Sequence, residues 1–169
     1  MPDSPRAPPL KKDTSLTMSQ SIRLASLFLR FTLSASYVSA VADRLGFWGG
    51  PGDANVAWGT WDAFVSYTAF LNGFLPPATA PVLAWVATII ETVVALGLIA
   101  GWQLKWFALV SGVMGAAFCT AMTVTSGLKP PLDFSVFTVS AASFLLAATV
   151  ADSRDPSKLV YPTATTTSR

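Results

Sequence analysis

The chain has 169 residues, of which 52% are hydrophobic and only 12% charged. That is roughly half the charge of an average soluble domain, and a water-facing surface needs more. A net charge of +2, with no basic cluster beside an aromatic stripe, argues against a nucleic-acid partner. One cysteine, Cys119, and no histidine exclude an intramolecular disulfide, a CxxC pair, a His-ligated haem and a Cys/His zinc site. Any redox role therefore needs a diffusible or partner-borne centre, and no metal site is expected.

Residues 1–20 are polar and rich in Pro and Ser, and are expected to be a disordered tail. Four apolar stretches follow, at about 22–45, 81–101, 106–128 and 134–151. A bilayer core of about 30 Å takes about 20 helical residues, so each stretch is long enough to cross. Ala40-Val41-Ala42 resembles a signal-peptidase site, but the leading region is long and carries Asp3 and Asp13, and Arg30 interrupts the apolar run. The expected fold is therefore all-α and integral to the membrane: one domain over 21–151, a four-transmembrane-helix bundle. A polar tail over 152–169 ends the chain.

With four crossings both ends share one side. That side collects Arg6, Lys11, Lys12, Arg23, Lys105, Arg154, Lys158 and Arg169, leaving Arg44 and Lys129 opposite. The positive-inside rule puts both termini in the cytoplasm. Trp102 and Trp106 then flank the short inner loop, while Trp48, Trp58 and Trp61 fall in the long outer one. In that outer loop Trp61, Phe64, Val65, Thr68 and Leu71 recur at helical spacing, and Pro76-Pro77 closes the run. This predicts a helix at about 60–74, lying in the outer interface or acting as a lid.

Glu91 lies in the middle of the second stretch, and Arg30 within the first. A charge at mid-membrane costs about 2.5–3.5 kcal/mol even on lenient scales, so Glu91 is expected to face a partner or a cavity, or to be protonated. Arg30 and Glu91 differ in depth by about 6 Å, within the span of an arginine. Side chains lean toward their helix N-terminus, however, and in antiparallel helices these two lean apart. Arg30 either reaches Glu91 or snorkels to the cytoplasmic interface. Tyr37, on the Arg30 face, leans toward Glu91 and is the better donor. The expectation is a polar seam of Arg30, Ser34, Tyr37 and Glu91.

A second cluster is expected at the outer mouth, where Asp43, Arg44, Lys129 and Asp133 either pair across the bundle or stay solvated. The third stretch carries Ser111, Gly112, Gly115 and Ala116, spaced for close helix approach. Ser140 and Ser143 in the fourth are expected to bond between helices, and Cys119 to fill space.

The run SAVADRLGFWG after a helix with an arginine, the segment ATIIETVVALGLIAG and the connector GLKPPLDFSVFTVSAA together resemble the DoxX family of small bacterial membrane proteins, over about 22–151. The resemblance implies a four-helix bundle in the bacterial inner membrane. It also implies a link to quinone-coupled sulfur oxidation or to oxidative-stress complexes, with Arg30, Arg44, Glu91 and Asp133 at positions where such proteins hold charges. The expected function is an accessory or quinone-interacting subunit of a membrane redox system. Its electrons would come from a partner protein, and the subunit would not be catalytic on its own. In that scheme Tyr37 and Arg30 donate to quinone carbonyls, Glu91 relays protons, and Trp85 or an outer-loop aromatic stacks on the ring. The alternatives are a small proton or solute transporter with Glu91 as the titrating group, and a non-catalytic assembly subunit. A homo-oligomer fits any of the three.

Overall fold

The computed structural model describes residues 12–152, and every regular element within them is helical. Helix α1 covers Lys12–Arg44, α2 Trp61–Leu71, α3 Ala80–Ala100, α4 Leu104–Ser126, α5 Lys129–Asp133 and α6 Val136–Asp152. A 3-10 turn at Pro77–Thr79 leads into α3.

Three segments are long and apolar enough to cross a membrane: Gln20–Arg44, Pro77–Ala100 and Leu104–Ser126. Helix α6 is apolar but shorter. The outward faces carry Phe28, Phe31, Val82, Ile89, Val113 and Leu145, all exposed. An apolar surface this continuous is unsuited to water and suited to lipid. The chain is thus a multi-pass membrane protein. Helix α1 starts at Lys12, inside the stretch expected to be a tail. No proline or glycine interrupts residues 12–20, so the apolar helix that follows extends backward at little cost. The remainder of that expected tail, and all of the C-terminal tail beyond Asp152, lie outside the described residues.

Helices α4 and α6 pack most extensively against each other, and α1 packs on α3. Small residues explain the first pair. A Cβ on Gly112 would come within 2.7 Å of the Phe144 ring, and one on Gly115 within 3.2 Å of Ser140. Ser140 donates to the Gly112 carbonyl at 2.8 Å across this contact. In the second pair, Arg30 meets Leu98 and Ile99, Ser34 meets Ala95, and Arg44 meets Thr88. Numbers rise on α1 as they fall on α3, so the two run antiparallel. The core between the pairs holds Leu33, Tyr37, Val94, Leu98, Ala108 and Leu146.

Helix α2 buries Phe64, Thr68 and Leu71 and exposes Asp62 and Ser66. Thr60 caps it, its side chain accepting from the Ala63 amide at 3.3 Å. It rests on α3 through the Trp61–Trp85 ring contact at 4.4 Å, and approaches α4 through Tyr67 and Phe118.

Candidate functional site: a buried arginine–glutamate pair under an aromatic cover

Arg44 is the last residue of α1 and is 1% exposed. A guanidinium that deep needs acceptors. Its Nη1 donates to Thr88 Oγ1 at 2.8 Å and lies 2.5 Å from Glu91 Oε2. Thr88 gives its own proton to the Ala84 carbonyl, which leaves its oxygen free to accept. Thr88 and Glu91 stand three residues apart on α3, on one face, so both meet the same side chain. The flat faces of the guanidinium are covered by rings: Cζ lies 3.7 Å from the centroid of Phe64 and 5.2 Å from that of Trp58. Those two rings meet each other edge to face at 5.0 Å.

The pair is incompletely satisfied. Arg44 Nε has no hydrogen-bond partner, and Glu91 Oε2 is held by the single 2.5 Å contact with Nη1. The pair is therefore joined by one prong, not by the two-pronged bond that arginine and carboxylate form at their best. Each buried group left without its hydrogen bond costs about 1–3 kcal/mol.

The neighbouring residue positions the cover. Asp43 is 5% exposed, and its carboxylate accepts from three successive backbone amides: Ala57 at 3.1 Å, Trp58 at 2.7 Å and Gly59 at 3.4 Å. This pins the returning strand of the long loop to the end of α1 and sets Trp58 over Arg44. Gly59 makes the turn possible. Its φ is +69°, and a Cβ there would sit 2.5 Å from the Gly50 carbonyl carbon, so any side chain would push the loop apart. Trp48 folds the other way, donating from Nε1 to the Ser39 carbonyl at 3.1 Å.

The seam expected from sequence is corrected here. Neither Arg30 nor Tyr37 hydrogen-bonds to Glu91, although Tyr37 lies close enough to feel its charge. Arg30 donates from Nε to Leu98 O at 2.9 Å and from Nη2 to Ile99 O at 3.0 Å, closing the C-terminus of α3. Gly101 makes room for it, since a Cβ there would fall 2.5 Å from Nη2. Tyr37 turns toward α4 instead. Its hydroxyl meets Ser111 Oγ at 2.7 Å, Ser111 meets Ser143 Oγ at 2.7 Å, and Ser143 donates to the Val139 carbonyl at 2.7 Å. A carbonyl can only accept, which fixes the direction: Tyr37 donates to Ser111, and Ser111 to Ser143. Ser34 stays within the α1–α3 contact, between the Arg30 and Ala95 carbonyls.

The physical reason is the lean of side chains. It carries Glu91 toward the start of α3 and Arg44 back down α1, so these two converge where Arg30 and Glu91 diverge. Treating the end of α1 as the membrane surface hid this, because the loop and α2 cover that end. The outer-mouth cluster does not assemble either. Lys129 pairs with Asp133 one helical turn away, both exposed, while Asp43 and Arg44 are buried. Cys119 is buried in α4 and unpaired.

Thr88, Trp58 and Phe64 are the site residues missed in the sequence reading. The spacing of Thr88 and Glu91 was visible; that the loop folds back over Arg44 was not. Compared with known proteins, the chain matches no family model, no curated protein and no solved structure.

Proposed function

We propose that the chain is a DoxX-like accessory subunit of a membrane redox system that binds a quinone-type amphiphile at the Arg44–Glu91 pair. Helix α6, about 25 Å long by helical rise, is read as the fourth crossing, just within the working range of spanning helices. Helix α2 is read as a cap in the outer interface, and both termini as cytoplasmic. The observation that carries the reading is the unused N–H of a fully buried arginine beneath two aromatic rings. A quinone carbonyl would take that N–H, and its ring would exchange for an aromatic face already in place. Electrons would come from a partner.

The test is quenching of intrinsic tryptophan fluorescence by a short-chain quinone in nanodiscs. Trp58 lies over the guanidinium, and Trp61 meets Phe64 of the cover, so saturable quenching is expected. It should disappear in the paired replacement Arg44→Met/Glu91→Met, which removes both charges together and leaves no lone ion. Unchanged saturable quenching in that variant would defeat the proposal. A second reading, an assembly subunit in which the pair only locks α1 to α3, is favoured by its deep enclosure, and predicts no saturable quenching in either protein.

A further inference from the structure

Helix α1 ends below the surface of the membrane, and the chain then folds back along it. Trp102, Lys105 and Trp106, where α3 gives way to α4, mark one face of the bilayer. A core of about 30 Å, measured from Ala100 back along α3, reaches as far as Ala80. Arg44 closes α1, yet its guanidinium meets Thr88, about 12 Å short of Ala80 along the helix. Gly46, at φ +78°, then reverses the chain in a Schellman turn: the Phe47 amide donates to the Ala42 carbonyl and the Gly46 amide to that of Asp43, each at 3.0 Å. Trp48 lies back along the helix just left, its Nε1 donating to the Ser39 carbonyl at 3.1 Å. Ser39 is about 7.5 Å below Arg44, inside the crossing segment Gln20–Arg44.

This turn is built for lipid. Phe47 is 77% exposed and Trp48 60%, and they extend the exposed face that Ala35 and Val38 present on α1. Its donors are closed: the amides of Leu45, Gly46, Phe47 and Gly49 go to nearby carbonyls, that of Gly50 to Asp53, and the indole N–H to Ser39. An open donor at this depth would cost free energy, so the closure removes the main penalty of immersion. The turn is also joined to the cover. Gly59, next to Trp58, packs so tightly on the Gly50–Pro51 peptide that a Cβ there would sit 2.5 Å from its carbon. We propose that residues 45–48 are a lipid anchor: Phe47 and Trp48 dip from the head-group boundary into the acyl chains, and the bilayer thereby helps hold the aromatic cover over Arg44. Interfacial elements sink their apolar side chains about 5–10 Å in this way, and indole rings favour that level. Lipid is the partner, since no polar group in the turn asks for a protein to close it. The anchor does not depend on what the ion pair binds.

Nitroxide labels on the full chain in phosphatidylcholine nanodiscs test this, in a Cys119→Ala background that removes the one cysteine. The labels enter through Phe47→Cys, Trp48→Cys and, as a control in the same loop, Ala54→Cys, exposed between Asp53 and Asn55. Each is challenged with oxygen, which concentrates in lipid, and with a water-soluble nickel chelate. Labels at 47 and 48 should relax mainly with oxygen, and the label at 54 mainly with nickel. Trp48→Cys forfeits the indole bond, so where the two differ Phe47→Cys decides. Nickel acting on 47 as strongly as on 54 would put the turn in water. Shielding of 47 from both agents would put protein there, a second copy or another chain. Either result overturns the anchor and leaves the reading of the ion pair untouched. The hold on the cover has its own measurement. Phe47→Asp, which sets a charge among acyl chains, should speed proteolytic cutting between residues 46 and 60 several-fold, and Ala54→Asp should not. Equal rates in the two variants would overturn the link between lipid and cover.

Discussion

Two of the arginines of helix α1, Arg30 and Arg44, stand fourteen residues apart by number, and each is engaged by α3. Arg30 meets the end of that helix, where carbonyls lack partners and the dipole is negative. Two of them take its N–H groups, and no carboxylate is needed. Arg44 meets the middle of the same helix, where every carbonyl is already used within the helix. It therefore requires a side chain that carries charge, and Glu91 is that side chain. The two sites teach that the depth of contact on the partner helix, more than the type of residue, decides whether an arginine in an apolar bundle needs a counter-ion. Arg30 is half-buried and well bonded; Arg44 is sealed and left with an N–H to spare.

The strongest way to break this comparison is to remove one charge from the sealed site. Glu91→Leu strands a buried guanidinium and should destabilise the protein by about 3–5 kcal/mol. Arg44→Met/Glu91→Met should recover most of that loss, since well-packed apolar replacements of buried ion pairs are close to neutral. Unfolding followed by helical circular dichroism in detergent measures both. If the single and double replacements cost the same, the pair is not coupled and the account of Arg44 is wrong.

Asp43→Ala probes the cover. It deletes the acceptor for three backbone amides, at about 1.5–3 kcal/mol for bonds to a charged group. The loss should be local. Limited proteolysis is expected to cut between residues 46 and 60 while the helices stay intact, and Trp58 emission should shift to the red as it leaves the guanidinium. A loop as resistant as in the natural chain would show that the aromatic cover is held by α2 alone.

Much of this was readable before any coordinates. Apolar stretches bounded by glycine, proline and charge marked α1, α3 and α4, since a membrane crossing needs length and little else. The run from Trp61 to Leu71 showed its buried face through the spacing of Phe64, Thr68 and Leu71. The partner of Glu91 was not readable. Along α1 both arginines share one stripe, and periodicity does not say which of them α3 meets at Glu91. That depends on how far α1 sits below the start of α3, which is set by the loop pinned to Asp43. Face and lean along α1 point Tyr37 at Glu91, yet they say nothing of what α4 offers. Tyr37 finds an acceptor on α4 because Ser111 and Ser143 already form a hydroxyl pair with one acceptor position open. Local spacing identifies faces; pairing across helices depends on the loops.

The open end of the comparison is Arg30, and the smallest effects belong there and at Tyr37. Arg30→Gln keeps one donor for the carbonyls but loses the charge that faces the α3 C-terminus. A destabilisation of about 1 kcal/mol is expected, well short of the loss at Glu91, and Arg30→Lys should recover part of it. Tyr37→Phe is milder still. Ser111 keeps its bond to Ser143, so the change removes one hydrogen bond without stranding a donor, and such bonds in membrane proteins average about 0.6 kcal/mol. Because Tyr37 spends its hydroxyl on Ser111 and makes no hydrogen bond to either member of the ion pair, this variant should leave quinone-dependent quenching intact. The seam first expected from sequence demands the opposite. Loss of quenching in Tyr37→Phe at unchanged stability would restore Tyr37 to the Glu91 site and displace Arg44 from its central role.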